Sequence, residues 1–126
     1  MTSYKDLIVW QKSRILVRKI YLLILKLPKE EIFGITNQIR RAVISIPSNI
    51  AEGYDRGSNK EFVRFLKIAK GSAAEVETQL ILCIDLGYLT LDDIQEVLAL
   101  HDEIIRMLGT LIIKTEQRLN LAKDCD

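Results

Sequence analysis

Apolar residues recur along this chain in steps of three and four, the period of a helix face, with no run of strict apolar and polar alternation that would mark a half-buried strand. Four stretches carry the period. The first extends from about Tyr4 to Leu27 and must stop at Pro28, because the residue before a proline is pushed out of the helical region. The second is expected to begin at Ile35 or Thr36, after a loose turn over 29–34, and to continue to about Tyr54. The third opens at Ser58, whose hydroxyl can cap the first turn while Glu61 completes a capping box, and covers 59–86 up to Gly87. Thr90 and Asp93 repeat the opening device for a fourth helix over 91–121, which leaves a frayed polar tail. Long helices joined by short turns lie antiparallel to their neighbours. The pattern therefore predicts one all-α domain over 1–126, an up-down-up-down four-helix bundle.

The first helix has two apolar surfaces. Val9, Leu16, Ile20, Ile24 and Leu27 make a broad core face, and Ile8, Ile15 and Leu22 recur every seven residues on the opposite side, between Gln11 and Arg18 on one flank and Lys12, Lys19 and Lys26 on the other. A single bundle has no interior on that second side, so the stripe predicts self-association. In the second helix Pro47 falls within the apolar pattern of Ile39, Val43, Ile46 and Ile50. It cannot donate to the carbonyl of Val43, which predicts a kink or a broken turn, with Ser45, Ser48 and Asn49 placed to bond the freed groups and Glu52 helping to tie the region down. Ala69 to Ala74 is a run of small residues around Gly71, and a glycine inside a helix predicts a close crossing with a neighbouring helix. His101 falls on the apolar stripe of the fourth helix and reads as a hydrogen-bonded core residue.

Charge changes the picture through its distribution. The chain carries +1 overall, but residues 1–57 hold ten Lys and Arg against five Asp and Glu, and residues 58–126 hold eight against twelve. One face of an assembly can then be basic although the whole molecule is not. The longest apolar run, Ile20 to Leu25, is far short of the ~20 residues that span a bilayer. The opening residues do not read as a secretory signal, so cytoplasmic residence with no membrane role is expected. Cys83 sits in an apolar run, Cys125 in the polar tail, and there is a single histidine, so neither a disulfide framework nor a metal set is legible and no cofactor is expected. Nor does any activated nucleophile, acid-base pair or glycine-rich phosphate cradle appear, and the expectation is that the protein is not an enzyme.

The string PKEEIFGITNQIRRAVISIPSNIAEG, an Arg-Gly turn, and then FLKIAKGSAAEVETQL resemble the bacterial four helix bundle proteins, also called 23S rRNA intervening-sequence proteins. The resemblance extends over roughly Leu7 to Leu89 and rests on Pro47, the stretch Asn49 to Gly53 with Glu52 inside it, and the run around Gly71. It implies a left-turning antiparallel bundle assembled as a ring, typically a homopentamer. A relative, the accessory variability determinant of diversity-generating retroelements, forms such a ring and binds a reverse transcriptase and nucleic acid.

Two functional expectations follow. In the first, a ring-forming adaptor binds structured RNA or other nucleic acid through its backbone, using Arg14, Arg18 and Lys19 on the first helix, Arg40, Arg41 and Arg56 on the second, and Lys60, Arg64, Lys67 and Lys70 on the third. Lys60, Arg64 and Lys67 share one helical face, and repetition around a ring would sum weak phosphate contacts. Trp10, Tyr4, Tyr54 and Phe62 are not interleaved with that stripe, so little sequence readout is expected. In the second, the ring is a scaffold that docks a partner protein such as a reverse transcriptase, and the basic stripe is only solvated.

Overall fold

The computed structural model describes residues 2–124; Met1, Cys125 and Asp126 lie outside the described residues. Four helices follow one another: α1 (Ile8–Leu23), α2 (Ile35–Asp55), α3 (Asn59–Asp85) and α4 (Leu91–Asp124), with no strand among the described residues. The first helix is shorter than the periodicity suggests. Single 3-10 turns at Tyr4–Asp6 and Ile24–Lys26 flank α1, and Leu7 is extended between the first turn and the helix. The Ser3 hydroxyl accepts from the amide of Lys5 and caps the short turn, while leaving the helical path lets Leu7 bury its side chain. At the other end Leu27 is extended, as the residue before Pro28 must be. The fourth helix runs past the expected Leu121, to Asp124.

Cross-helix contacts fix the directions. Lys12 and Lys19 of α1 and Lys26 of the 3-10 turn that follows it pair with Glu103, Glu96 and Asp93 of α4, so one number rises as the other falls. Ser45 meets Ser72, and Gly53 lies against Phe65, which makes α2 and α3 antiparallel. His101 reaches Ala73 and Lys67 reaches Glu116, so α3 and α4 are antiparallel as well. The circuit closes only if α1 also opposes α2, which is the up-down-up-down order.

The core is aliphatic. Leu16, Ile20, Ile39, Ile46, Ile50, Leu66, Leu80, Ile94, Ile104 and Leu108 are fully enclosed, each stabilising the fold by about 1.5–3 kcal/mol relative to exposure. Two buried hydroxyls find local partners, Ser13 donating to the carbonyl of Val9 at 2.6 Å and Thr115 to that of Leu111 at 2.7 Å, whereas Thr36 Oγ1 and Gln79 Oε1 are enclosed without a hydrogen-bond partner. The His101 ring is enclosed and its Nε2 donates to the carbonyl of Ala73 at 2.6 Å, which ties α4 to α3.

Two readings of the middle helices are refined. Helix α2 is continuous from Ile35 to Asp55 through Pro47, so of the expected kink or broken turn it is the broken turn that does not occur. The compensation is local but does not reach Val43: Ser48 Oγ donates to the carbonyl of Ile44 and Asn49 Nδ2 to that of Ser45, each at 2.8 Å. These are the two carbonyls that follow the one Pro47 leaves without a donor, so the turn is reinforced on the C-terminal side of the gap. Glu52 takes no part, since its carboxylate accepts from Arg56 at 2.8 Å. The second correction concerns close approach. A Cβ on Gly71 would meet nothing within 4 Å, whereas one on Gly53 would lie 2.5 Å from the Cβ of Phe65. The tight α2–α3 crossing is therefore at Gly53, and Ala69, Ser72 and Ala73, not Gly71, are the enclosed members of the small-residue run.

The α1–α4 ladder has an acid-sensitive end. Hydrogen bonding from Lys26, then from the Thr90 amide, lowers the carboxyl of Asp93 from an ordinary 3.8 to about 2. A carboxyl depressed in the folded state adds stability above the unfolded value, near pH 4, and loses it as pH falls through about 2. In Lys26→Met the Asp93 titration, followed by carboxyl NMR, should move up towards 3.8. An unchanged midpoint would mean that Thr90 alone holds the group.

Candidate nucleic-acid interface and assembly face

Where α2 gives way to α3, Gly57 adopts φ 81°, a left-handed value open to glycine, and Ser58 Oγ then accepts from the Glu61 amide at 3.2 Å to start α3. This turn gathers Arg56, Lys60 and Arg64. The guanidinium of Arg56 lies 5.1 Å and that of Arg64 4.6 Å from the ring centre of Phe65, a residue otherwise enclosed. Carboxylates are interleaved with the cations: Glu52 pairs with Arg56 at 2.8 Å, and Glu61 with Arg64 at 2.7 Å. Hydrogen bonding from Arg64 holds the Glu61 carboxyl below its usual value and raises the guanidinium in return. Further along α3, Lys67 lies 3.8 Å from Glu116, while Lys60 and Lys70 are exposed and have no ion-pair partner among the described residues. The result is a basic corner with the free ammonium of Lys60 and two guanidinia oriented by an aromatic ring, and a second free ammonium, Lys70, about three turns further along α3.

The other expected cations are dispersed. Lys19 is paired with Glu96, its ammonium already committed to the α1–α4 ladder, so it does not belong to a free basic patch. Arg14 stacks on Trp10 at 5.1 Å, and Arg18 is exposed on the outer side of α1. Arg40 is half-buried between α1 and α2, 5.8 Å from the Tyr21 ring, with its Nε enclosed and without a hydrogen-bond partner. Arg41 lines a polar cleft of about 370 Å³ between α2 and α3 with Gln38, Ser45, Ser72, Glu75 and Gln79. One subunit thus brings Arg56, Lys60, Arg64, Lys67 and Lys70 to one side, and leaves the α1 cations, Arg40 and Arg41 elsewhere.

The second apolar face of α1 is fully displayed. Ile8, Ile15 and Leu22 are 58%, 48% and 62% exposed. Beside Ile8 an open groove of about 570 Å³ runs between α1 and α4, floored by Leu7, Val9, Met107 and Leu111. Sequence reasoning found the stripe but missed the groove, whose α4 wall is half-buried and breaks the simple core pattern. It also missed Phe65, although Arg64 beside it was a visible signal.

Catalytic chemistry finds little to build on. Burial pushes the Cys83 thiol up, away from the reactive thiolate, and Glu31 nearby adds to the effect. Among the described residues no group of three His, Cys, Asp or Glu could hold a metal ion, and no helix is long and apolar enough to cross a membrane.

Comparison with known proteins agrees with this architecture. No curated protein sequence matches the chain. A crystal structure of a protein with unknown function from the S23 ribosomal protein family of Bacteroides thetaiotaomicron superposes with a TM-score of 0.74 at 29% identity, covering 83% of this chain and 98% of that one. The family described as 23S rRNA-intervening sequence protein matches residues 5–110, from the first 3-10 turn well into α4 and beyond the span over which the sequence resemblance was read. With four helices in the bundle order and most of their length matched, the chain belongs to the 23S rRNA-intervening sequence protein family.

Proposed function

We propose that this protein is a non-enzymatic, cytoplasmic adaptor that assembles into a ring, a pentamer by the family resemblance, and binds structured RNA weakly and without sequence preference. The observation that carries the reading is the corner at the α2–α3 turn, where Lys60 is unpaired and Phe65 orients Arg56 and Arg64, with the unpaired Lys70 about three turns further along α3. Free ammonium groups and stacked guanidinia suit phosphate oxygens, while the aromatic residues are turned to one another. Tyr4 meets Trp10 edge-on at 5.2 Å and Tyr54 meets Phe62 at 5.8 Å, so neither pair is a platform for bases.

A single corner with this much internal neutralisation binds weakly, and a ring that repeats it multiplies the contacts by effective concentration. The strength should then depend steeply on salt, since six to ten phosphate contacts lose about 10³–10⁵ in affinity between 50 and 200 mM. Electrophoretic retardation of a structured RNA at those two salt concentrations tests this: a shift at the lower that disappears at the higher is expected. No shift at either would favour a scaffold that docks a partner protein, a reverse transcriptase among the candidates, with the cations merely solvated.

A further inference from the structure

The seam between α2 and α3 holds polar chemistry that the basic corner does not use. Ser45 meets Ser72 at 2.8 Å, and because the two helices are antiparallel, residues equally far from that pair along each helix stand at one level. One turn away, Arg41 on α2 is level with Glu75 on α3; about 10 Å away, Gln38 is level with Gln79. All of these line the cleft of about 370 Å³, and the small side chain of Ala42 leaves its middle open. The cleft is therefore ordered in tiers: hydroxyls, then opposite charges, then amides.

Each tier has bonding capacity that the subunit leaves unmet. Of the two serine hydroxyl protons, one serves the bond between them; Ser45 Oγ also accepts from Asn49 Nδ2 at 2.8 Å, and the second proton has no acceptor among the described residues. The exposed Arg41 guanidinium and Glu75 carboxylate stand on opposite walls at one level, yet neither makes an ion pair or a side-chain hydrogen bond among the described residues. Gln79 is only 9% exposed, and its Oε1 accepts from no donor. Enclosed acceptors are ordinarily answered, and one left unanswered in the wall of a polar cleft marks the place of a missing donor.

A simple anion in the charge tier would meet Glu75 and a simple cation would meet Arg41, so the tier suits a molecule that carries both signs a few ångströms apart. No aromatic side chain lines the cleft, which leaves a nucleobase nothing to stack on. The volume falls at the small end of ligand sites, which run from about 300 to 1,000 Å³, and fits a metabolite better than a folded segment. We infer that the cleft binds a free α-amino acid with a hydrogen-bonding side chain. Arg41 and the spare serine proton take the carboxylate, and Glu75 takes the ammonium. The side chain extends towards Gln38 and Gln79, where rotation of the Gln79 amide turns Oε1 to a ligand N–H. A residue within a polypeptide carries neither backbone charge, so the ligand is the free amino acid. One subunit supplies every group, and this binding is independent of the RNA and ring readings above.

The test is titration of the isotope-labelled full chain with L-glutamine, following the side-chain amide signals of Gln38 and Gln79 by NMR; saturable shifts of both are expected. N-acetyl-L-glutamine, which lacks the ammonium, and decarboxylated glutamine, which lacks the carboxylate, should each bind at least tenfold more weakly. Arg41→Gln and Glu75→Gln change exposed side chains, so their circular dichroism should match the parent while L-glutamine binding falls at least tenfold. Gln79→Leu should lose the preference for L-glutamine over L-alanine. If none of L-glutamine, L-asparagine, L-glutamate and L-serine moves the Gln38 and Gln79 signals saturably, the cleft is only a solvated seam and the inference is overturned. It is equally overturned if R41Q and E75Q bind L-glutamine as the parent does.

Discussion

Replacing Gly53 by alanine is expected to destabilise the bundle by about 2 kcal/mol and to lower its thermal midpoint by roughly 5–10 °C. Elsewhere in a helix the change would be favourable by up to ~1 kcal/mol, because alanine has less backbone freedom to lose. Here the new methyl would lie 2.5 Å from the Cβ of Phe65, an atom bonded to the α3 backbone that no rotamer can move. Accommodating it requires α2 and α3 to separate, which would loosen the ring that orients Arg56 and Arg64 and open the contact between Tyr54 and Phe62. Gly71→Ala is the matched control, since open space surrounds it and the expected effect on the subunit is neutral or stabilising. Denaturant unfolding of the two variants decides the matter: a Gly53→Ala midpoint at or above the parent's would mean that the helices yield more easily than the geometry allows.

The contrast between those two glycines shows where sequence reasoning reaches its limit. Helix period, caps and the signal at Pro28 depend on residues close together in the chain, and they locate four helices and the core residues Leu16, Ile20, Ile39, Ile46 and Ile50. Whether a given glycine meets a neighbouring helix depends on rotation about the axis, and one residue of error, about 100°, moves it from interior to solvent. Gly71 lies beside the enclosed Ser72, and that small angular difference reversed its role. The ends of α1 were hidden for another reason: Leu7 fits the apolar period whether helical or extended, and burial of its side chain decides the matter. Cations were legible as residues but not as free charges. Lys12, Lys19 and Lys26 recur every seven residues, as a solvent-facing or nucleic-acid-facing stripe would, and their acids on α4 lie more than sixty residues away. Only the fold shows that α1 has committed these lysines to holding α4, which leaves the corner at the α2–α3 turn as the concentrated basic surface.

Changing Lys60, Arg64 and Lys67 together to glutamate is expected to weaken RNA binding at least a hundredfold and to abolish retardation at 50 mM salt. Each reversal removes one phosphate-attracting charge and adds a repelling one, and a ring applies the change in every subunit. Folding should survive. Glutamate near the α3 N-terminus is favoured by the helix dipole, which offsets the few tenths of a kcal/mol lost when position 64 repels Glu61 and position 67 repels Glu116. Circular dichroism and sedimentation should therefore match the parent, so that lost retardation reports binding alone. A complementary variant tests the sign: Glu61→Gln releases Arg64 from its 2.7 Å pair and should strengthen retardation and steepen its dependence on salt. If the triple variant still shifts RNA as the parent does, the corner is only a solvated surface, and the search moves to Arg14 and Arg18 at the α1 face or to Arg40 and Arg41 on α2.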